Sequence, residues 1–120
     1  MPFADTDFFI AMMREGDRHG SAAKAAYGRY EGAIYTSFAV AIELLLVGKR
    51  LGMDAREMVS NLVAISSIIG ISTKTLTLAA RYIEEQGLGI FDAFHAAMCN
   101  GEIISSDHVF KNLGIKTLMG

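Results

Sequence analysis

The chain has 120 residues, a length that favours one domain spanning 1–120 with a core of its own. Hydrophobic residues make up 52% and charged residues 20%, with a single proline, which excludes an intrinsically disordered chain. The net charge of −2 gives no basis for binding nucleic acid over the whole surface, so a polyanion would need a local patch or a bound metal.

The location of the protein is predicted from three negative features. The lone cysteine, Cys99, cannot form an internal disulfide, and no secretory signal is visible at the N-terminus. The most apolar run, "AVAIELLLV", is too short to span a membrane and contains Glu43. These features predict a soluble, cytoplasmic protein without a membrane partner.

The first half of the chain alternates short apolar runs with helical patterns. "PFAD" predicts a strand that ends in an acid, and "FFIAMM" predicts a helix that ends at "REGDRHG". Ser21 is a predicted N-cap for the helix "AAKAAYGRYE", which is followed by the strand "AIYTS" and the helix "FAVAIELLLVGKRLG". Asp54 and Glu57 resemble a capping box at the start of "AREMVSNLVAIS". The apolar residues of that helix share one face: Met58, Leu62 and Ile65.

The second half continues the alternation. "IIGIS" is a β-branched apolar run, and "TKTLTLAARYIEE" has helical spacing at Leu76, Ala79, Ala80 and Ile83. A Gly-Leu-Gly turn then leads into the helix "DAFHAAMCN", the strand "EIISS", the short helix "DHVFKNLG" and a last strand, "IKTLM". This order predicts an α/β fold, a three-layer α/β/α sandwich around a mostly parallel central sheet of four to five strands.

Four acids lie where the chain leaves a strand or enters a neighbouring helix. Asp5 ends the first strand, and Asp107 follows "EIISS". Asp92 opens the helix before that strand, and Glu43 lies about two turns into the helix after "AIYTS". Because parallel sheets bind ligands at the carboxyl ends of their strands, we expect the four side chains to converge there.

Two alternatives to convergence stay open at this point. Asp5, Asp92 and Asp107 each fit a helix N-cap, a position that favours Asp. Glu43 does not fit a cap, and no basic residue lies within one helical turn of it. A buried carboxylate there would need a partner or a metal, whereas an exposed helix face would need neither.

Four carboxylates in one site would repel one another and raise one another's pKa values. A divalent cation removes that penalty, and all-oxygen ligands favour Mg²⁺ or Mn²⁺ over zinc. The three histidines show no ligand spacing shared with Cys99. A metal held in this way suits phosphodiester hydrolysis, because it lowers the pKa of water and stabilises charge on the leaving oxygen.

These residues resemble the PIN domain family, small metal-dependent ribonucleases that include the VapC-type toxins of toxin–antitoxin pairs. Four segments match the family pattern in order: "ADTD", "IYTSFAVAIELLL", "FDAFHAA" and "IISSDHVF". The resemblance covers nearly the whole chain. No single motif is specific, and its strength comes from their order and spacing.

The resemblance implies that Asp5, Glu43, Asp92 and Asp107 are catalytic acids that bind Mg²⁺ or Mn²⁺. It implies that the hydroxyls of Thr6 and Ser105 orient these carboxylates or a water molecule. The implied activity is a metal-dependent endoribonuclease, the toxin of a toxin–antitoxin pair. RNA would be its substrate, and a cognate antitoxin and a second copy of the chain would be its partners.

Several positions depart from the family pattern or carry weaker expectations. Asp7 stands where Asn or Ser is common, and Val109 where some members have a further acid, so one metal or two stays open. His95 shares a helix face with Asp92 and is predicted to be a packed core histidine, while His108 is predicted to lie on the surface. The candidate phosphate contacts are Arg14, Arg18, Lys49, Arg50 and Lys111.

Two other functions compete with the nuclease. A non-catalytic PIN-like module would act in RNA processing or protein interaction through its surface. A phosphoacceptor receiver domain also clusters acids at strand ends, but the strand-like runs "AIYTS" and "IIGIS" end without an acid, and "EIISS" is not followed by a lysine.

Overall fold

The structure, a computed structural model, describes residues 1–119 and resolves them into five strands and seven helices. The strands are β1 (Phe3–Ala4), β2 (Tyr35–Ser37), β3 (Ser67–Ile69), β4 (Glu102–Ile104) and β5 (Lys116–Thr117). The helices are α1 (Thr6–Met13), α2 (Gly20–Tyr30), α3 (Phe38–Arg50), α4 (Ala55–Ile65), α5 (Thr73–Gln86), α6 (Ile90–Met98) and α7 (His108–Asn112). None of these helices is long and apolar enough to cross a bilayer.

The five strands form one sheet in the order β3-β2-β1-β4-β5, and every neighbouring pair is parallel. Phe3 and Ala4 of the central strand are fully buried, as are Ile103 and Ile104 of β4. Successive residues of a strand point to opposite faces, so helices must cover both faces of the sheet. The predicted three-layer α/β/α architecture is confirmed.

Local hydrogen bonds set several of the predicted helix boundaries. Asp54 accepts a hydrogen bond from the Glu57 amide at 2.9 Å and so caps α4, as predicted. Ser37 caps α3 in the same way, and Ser72 caps α5. The predicted inner face of α4 is confirmed at Met58 and Leu62, which are both buried.

Two of the boundaries that differ from the prediction have a clear local cause. Helix α2 begins at Gly20, before the predicted cap Ser21, because the Asp17 side chain accepts the His19 amide at 2.9 Å and starts the turn earlier. Strand β3 ends at Ile69 instead of running through "IIGIS". The extended segment stops there because glycine at 70 weakens a strand and Ser72 must turn to cap α5.

Helix α5 is confirmed, but only part of its apolar stripe faces the core. Ala79 is fully buried, whereas Ala80 is exposed and 54% of Leu76 is exposed. A helix that packs through alanine can approach its neighbour closely, and α5 packs against α6. The buried position on α5 therefore has little room for a larger side chain.

Substitution of Ala79 by leucine tests this packing against a neighbouring control. We expect Ala79→Leu to lower the free energy of unfolding by about 1–3 kcal/mol, because extra methylenes overpack a filled core. Ala80→Leu, on the exposed face of the same helix, should change it by less than about 0.5 kcal/mol. Urea denaturation of both variants measures the difference, and equal effects would contradict the assigned orientation of α5.

Candidate metal centre

The carboxyl ends of β1 and β4 meet at the point where the strand order reverses. Strands β2 and β3 lie on one side of β1, and the chain then returns to β4 on the other side. Parallel sheets bind ligands in the crevice at such a reversal. Here the amide of Asp5 donates to the carbonyl of Ile104 at 3.1 Å, so the residues after the two strands lie side by side.

A cavity of about 260 Å³ opens at this crevice, and all four predicted acids line it. Its lining residues are Asp5, Thr6, Asp7, Ile10, Asp17, His19, Glu43, Val47, Asp92 and Asp107. Among the residues the structure describes, no lysine or arginine lines it. The cavity is therefore strongly acidic, and a polyanion cannot enter it without added positive charge.

Asp5 is the most buried of the four acids. Its Oδ1 accepts the Thr6 amide at 2.7 Å, and its Oδ2 accepts the Ser105 hydroxyl at 2.8 Å. Burial raises the pKa of Asp5 to about 7; Asp7 adds to the rise, and His95 opposes it. A carboxyl group with such a pKa lies in a site that strongly disfavours its charged form.

Glu43 is half-buried and is held by two donors. Its Oε1 accepts the Thr6 hydroxyl and lies 2.8 Å from His95 Nε2. Burial acts to raise the pKa of Glu43, but the hydrogen bonds from His95 and Thr6 outweigh burial and lower it. The exposed-face alternative for Glu43 is wrong, because its carboxylate points into the acid cluster.

His95 belongs to the site and is not an isolated core residue. The imidazole is fully buried, as predicted, but its Nε2 lies 2.8 Å from Glu43 and 3.5 Å from Asp5. Burial lowers the pKa of His95, while Glu43 and Asp5 raise it to a net value above the ordinary one. The sequence signal for this contact was the spacing of three residues from Asp92.

Asp92 is not a helix cap. Helix α6 begins at Ile90 with Gly89 at the N-cap, so Asp92 lies inside the first turn. Its carboxylate makes no hydrogen bond or ion pair within residues 1–119, and burial together with Asp107 raises its pKa. The capping alternative is therefore wrong for this residue.

Asp5 and Asp107 each cap a helix and also line the cavity. Asp5 is the N-cap of α1, and Asp107 caps α7 by accepting the Val109 amide at 3.0 Å. Asp107 is exposed and forms the outer rim of the cavity. A capping contact occupies one carboxylate oxygen of Asp107 and leaves the second without a partner in the part of the chain that is described.

Asp7, in the first turn of α1, joins this helix to the loop after β4. Its Oδ2 accepts the Ser106 amide at 2.9 Å and also the Ser106 hydroxyl. Ser105 links the same loop to the N-cap of α1, since its hydroxyl donates to Asp5 and accepts the Asp107 amide at 3.0 Å. The predicted hydroxyls of Thr6 and Ser105 thus both contact a site carboxylate, and their role in orienting ligands stays a prediction.

Two polar residues of the cavity were not found from the sequence. Asp17 and His19 lie between α1 and α2 and line the cavity, and no motif marks them. None of the five basic residues named as candidate phosphate contacts lines it. Among these five, Arg18 is the one that adjoins cavity residues in the sequence, and its Nε donates to His19 Nε2 at 3.1 Å.

The donor set fits a hard divalent cation. Oxygen atoms of Asp5 and Glu43 and a ring nitrogen of His95 lie within 4.8 Å of one another. Carboxylate oxygens predominate in the cavity, and those of Asp92 have no hydrogen-bond donor within residues 1–119, which suits Mg²⁺ or Mn²⁺ better than zinc. The assignment of the four acids as ligands remains a prediction.

Comparison with known proteins identifies the family. The model of the PIN domain matches residues 3–116, nearly the whole chain. The chain belongs to the PIN domain family. The receiver-domain alternative is therefore wrong.

Solved structures share the PIN fold at low sequence identity. VapC20 of Mycobacterium tuberculosis, described as a sarcin–ricin loop cleaving toxin, has a TM-score of 0.85 and 18% identity, over 98% of each chain. VapBC2 of Rickettsia felis, bound to a promoter DNA fragment, has a TM-score of 0.69 and 17% identity, over 96% of this chain and 94% of that one. A toxin–antitoxin complex of Klebsiella pneumoniae has a TM-score of 0.68 and 21% identity, over 90% and 88%. No curated protein sequence matches significantly.

The buried Asp5 makes stability depend on pH. Its pKa is about 7 in the folded protein against an ordinary value of 3.8, so the folded state retains the proton longer than the unfolded chain. The contribution of Asp5 to the free energy of unfolding is therefore fully present below about pH 4 and is lost as the pH rises through about 7. In metal-free protein, Asp5→Asn should gain stability relative to wild type between pH 4.5 and pH 8.

Thermal melts of metal-free wild type and Asp5→Asn across this pH range measure the effect. Asp107→Asn is the matched control, because Asp107 is exposed on the rim of the same cavity. An identical pH trend in both variants would show that the effect does not come from burial of Asp5.

Proposed function

We propose that the chain is a Mg²⁺- or Mn²⁺-dependent endoribonuclease that hydrolyses RNA phosphodiester bonds. One observation carries the proposal: four carboxylates from distant parts of the sequence line one cavity that contains no lysine or arginine among the described residues. Local capping does not account for Glu43 or Asp92. Membership of the PIN domain family adds support.

In this proposal Asp5, Glu43, Asp92 and Asp107 hold the metal. A bound Mg²⁺ or Mn²⁺ supplies positive charge to the phosphodiester and lowers the pKa of water. The surrounding residues hold two of these carboxylates in place, because Ser105 donates to Asp5, and Thr6 donates to both Asp5 and Glu43. The acidic cavity rejects RNA when it is metal-free, so substrate binding and metal binding are linked.

The structural neighbours support a more specific role. One neighbour is described as a sarcin–ricin loop cleaving toxin, and another as a toxin–antitoxin complex. On this basis we propose that the chain is the toxin of a toxin–antitoxin pair with a cognate antitoxin as partner. Co-expression with the product of an adjacent short reading frame, followed by co-purification, tests this role separately from the chemistry.

RNA cleavage tests the proposed activity directly. Wild type should cleave RNA with Mn²⁺ or Mg²⁺ and not with EDTA. Asp5→Asn and Asp92→Asn should each reduce the rate by about 100-fold or more, since even residues that only support metal ligands are worth roughly 10–100-fold. Gel-based cleavage of a labelled RNA at fixed metal concentration measures these rates.

The matched control for the cleavage experiment is Asp54→Asn. Asp54 is an exposed acid outside the cavity that caps α4, and asparagine is also a good cap. This variant should retain full activity. Wild-type protein that neither cleaves RNA nor binds Mn²⁺ would favour the non-catalytic PIN-like module.

We propose a homodimer from the exposed apolar residues of α3 and α4. These two helices pack together, and their outer surface carries Phe38, Ile42, Leu45, Leu46, Val59 and Val63. Exposed apolar residues on adjacent helices mark protein interaction sites in soluble proteins. A second copy of the chain would cover them.

A charge in this surface should dissociate the dimer. Val63 is 57% exposed on α4, and Leu76 is 54% exposed on α5, outside the proposed interface. Sedimentation velocity should show that Val63→Lys is monomeric at concentrations where wild type and Leu76→Lys are dimeric. Dimers of equal stability in all three proteins would place the interface elsewhere.

A further inference from the structure

Two donors from different helices converge on a single oxygen of Glu43. The Thr6 hydroxyl comes from the first turn of α1, and His95 Nε2 comes from α6. Both contact Oε1. The other oxygen, Oε2, has no hydrogen-bond partner within residues 1–119 and is not among the buried unpartnered atoms. The carboxylate is thus asymmetric, with one oxygen saturated by the protein and one left for a ligand.

The contact between His95 and Glu43 fixes where the imidazole proton lies. An ionised carboxylate can only accept hydrogen bonds, so Nε2 must carry the hydrogen in the 2.8 Å contact. A nitrogen that carries a hydrogen has no lone pair for a metal. The other ring nitrogen, Nδ1, is buried and has no partner in the described part of the chain. In this arrangement, therefore, neither nitrogen of His95 binds a metal.

The imidazole is held in place by its surroundings. His95 is fully buried, its ring stacks on Phe91 with centroids 6.4 Å apart, and the Phe3 ring lies 6.2 Å away. A donor on a buried ring loses little freedom when it forms its hydrogen bond. His95 is therefore a rigid anchor for a carboxylate whose own side chain is long and flexible.

We propose that His95 is a positioning residue, which together with Thr6 holds Oε1 of Glu43 and thereby presents Oε2 to the divalent cation. The inference rests on the proposed metal-dependent function and assigns a role that the family match does not supply. It separates the cluster of Asp5, Glu43 and His95 into two acids that face the metal and one histidine that orients an acid. Such supporting partners fix ligand orientation and tune metal affinity.

Three substitutions at one position distinguish the possible roles. Glutamine places an amide donor near the position of Nε2, asparagine is one methylene shorter and cannot reach it, and phenylalanine keeps the ring without a donor. We expect His95→Asn and His95→Phe to weaken Mn²⁺ binding by about 10–100-fold, the range for loss of a partner that orients a ligand. His95→Gln should retain most of the affinity. Isothermal titration with MnCl₂ measures the dissociation constants without any RNA.

The Mn²⁺ affinities of these variants distinguish a positioning role of His95 from a packing role and from direct metal binding. Unchanged Mn²⁺ affinity in His95→Phe would overturn the proposal and make His95 a packing residue. Equal losses in His95→Gln and His95→Phe would also overturn it, in favour of His95 as a direct ligand. Met98→Leu, at a buried position on the same helix, controls for repacking of α6 and should bind Mn²⁺ as wild type does.

A second variant keeps the test decisive if the ring substitutions fail to fold. Thr6→Val removes the other donor to Oε1 with little change of shape and leaves the Thr6 amide bond to Asp5 intact. It should also weaken Mn²⁺ binding. Full affinity in Thr6→Val would contradict a requirement for saturating Oε1.

The experiment also separates this inference from the proposed function. Wild type that binds Mn²⁺ without cleaving RNA would remove the nuclease and leave the Mn²⁺ comparison valid. If wild type binds no Mn²⁺, crystal structures of wild type and His95→Phe still decide the positioning role. The Glu43 carboxylate should turn away from its wild-type orientation in His95→Phe, and an unchanged orientation would overturn the proposal.

Discussion

The site depends on a carboxylate buried at the end of the central strand. Parallel pairing of β1 with β4 aligns Ala4 with Ile104, and the next residues along each strand are Asp5 and Ser105. Their hydrogen bond is therefore a consequence of the sheet register. Burial raises the pKa of Asp5 far above that of an exposed aspartate. The folded protein therefore disfavours the ionised form of this carboxyl group when no metal is bound.

The hydrogen bonds around Asp5 connect elements that are far apart in the sequence. Thr6 donates its amide to Asp5 and its hydroxyl to Glu43, so one residue joins the central strand to α3. His95 extends the network to α6, and Asp7 ties the start of α1 to the loop after β4 through Ser106. Because Asp5 and Glu43 each accept hydrogen bonds from two other residues, the orientations of these two carboxylates are set by the protein itself.

Much of this arrangement was predictable because hydrophobic periodicity is a local property of the sequence, and alternating strands and helices favour one kind of sheet, a parallel one. Alternating strands and helices predicted the layers, and the rule for parallel sheets predicted that four acids would meet at one edge of the sheet. The contact of His95 with Glu43 was not predicted. A histidine among alanines on a helix is typical of a core residue, and only the packing of α6 against α3 brings Glu43 next to it. The cavity positions of Asp17 and His19 depend on the connection between α1 and α2, which no periodic pattern determines.

Asp92 supports the proposed metal-binding role most directly, because no contact within residues 1–119 accounts for its carboxylate. Gly89 already supplies the cap of α6, and no donor within residues 1–119 satisfies the Asp92 carboxylate. The helix N-terminus favours a negative charge there, but burial and the neighbouring Asp107 outweigh that effect and raise its pKa. In the metal-free protein the ionised Asp92 carboxylate is therefore destabilised electrostatically, and no hydrogen bond or capping contact within residues 1–119 compensates for this. A cation bound between Asp92 and the other acids would reverse the sign of that interaction.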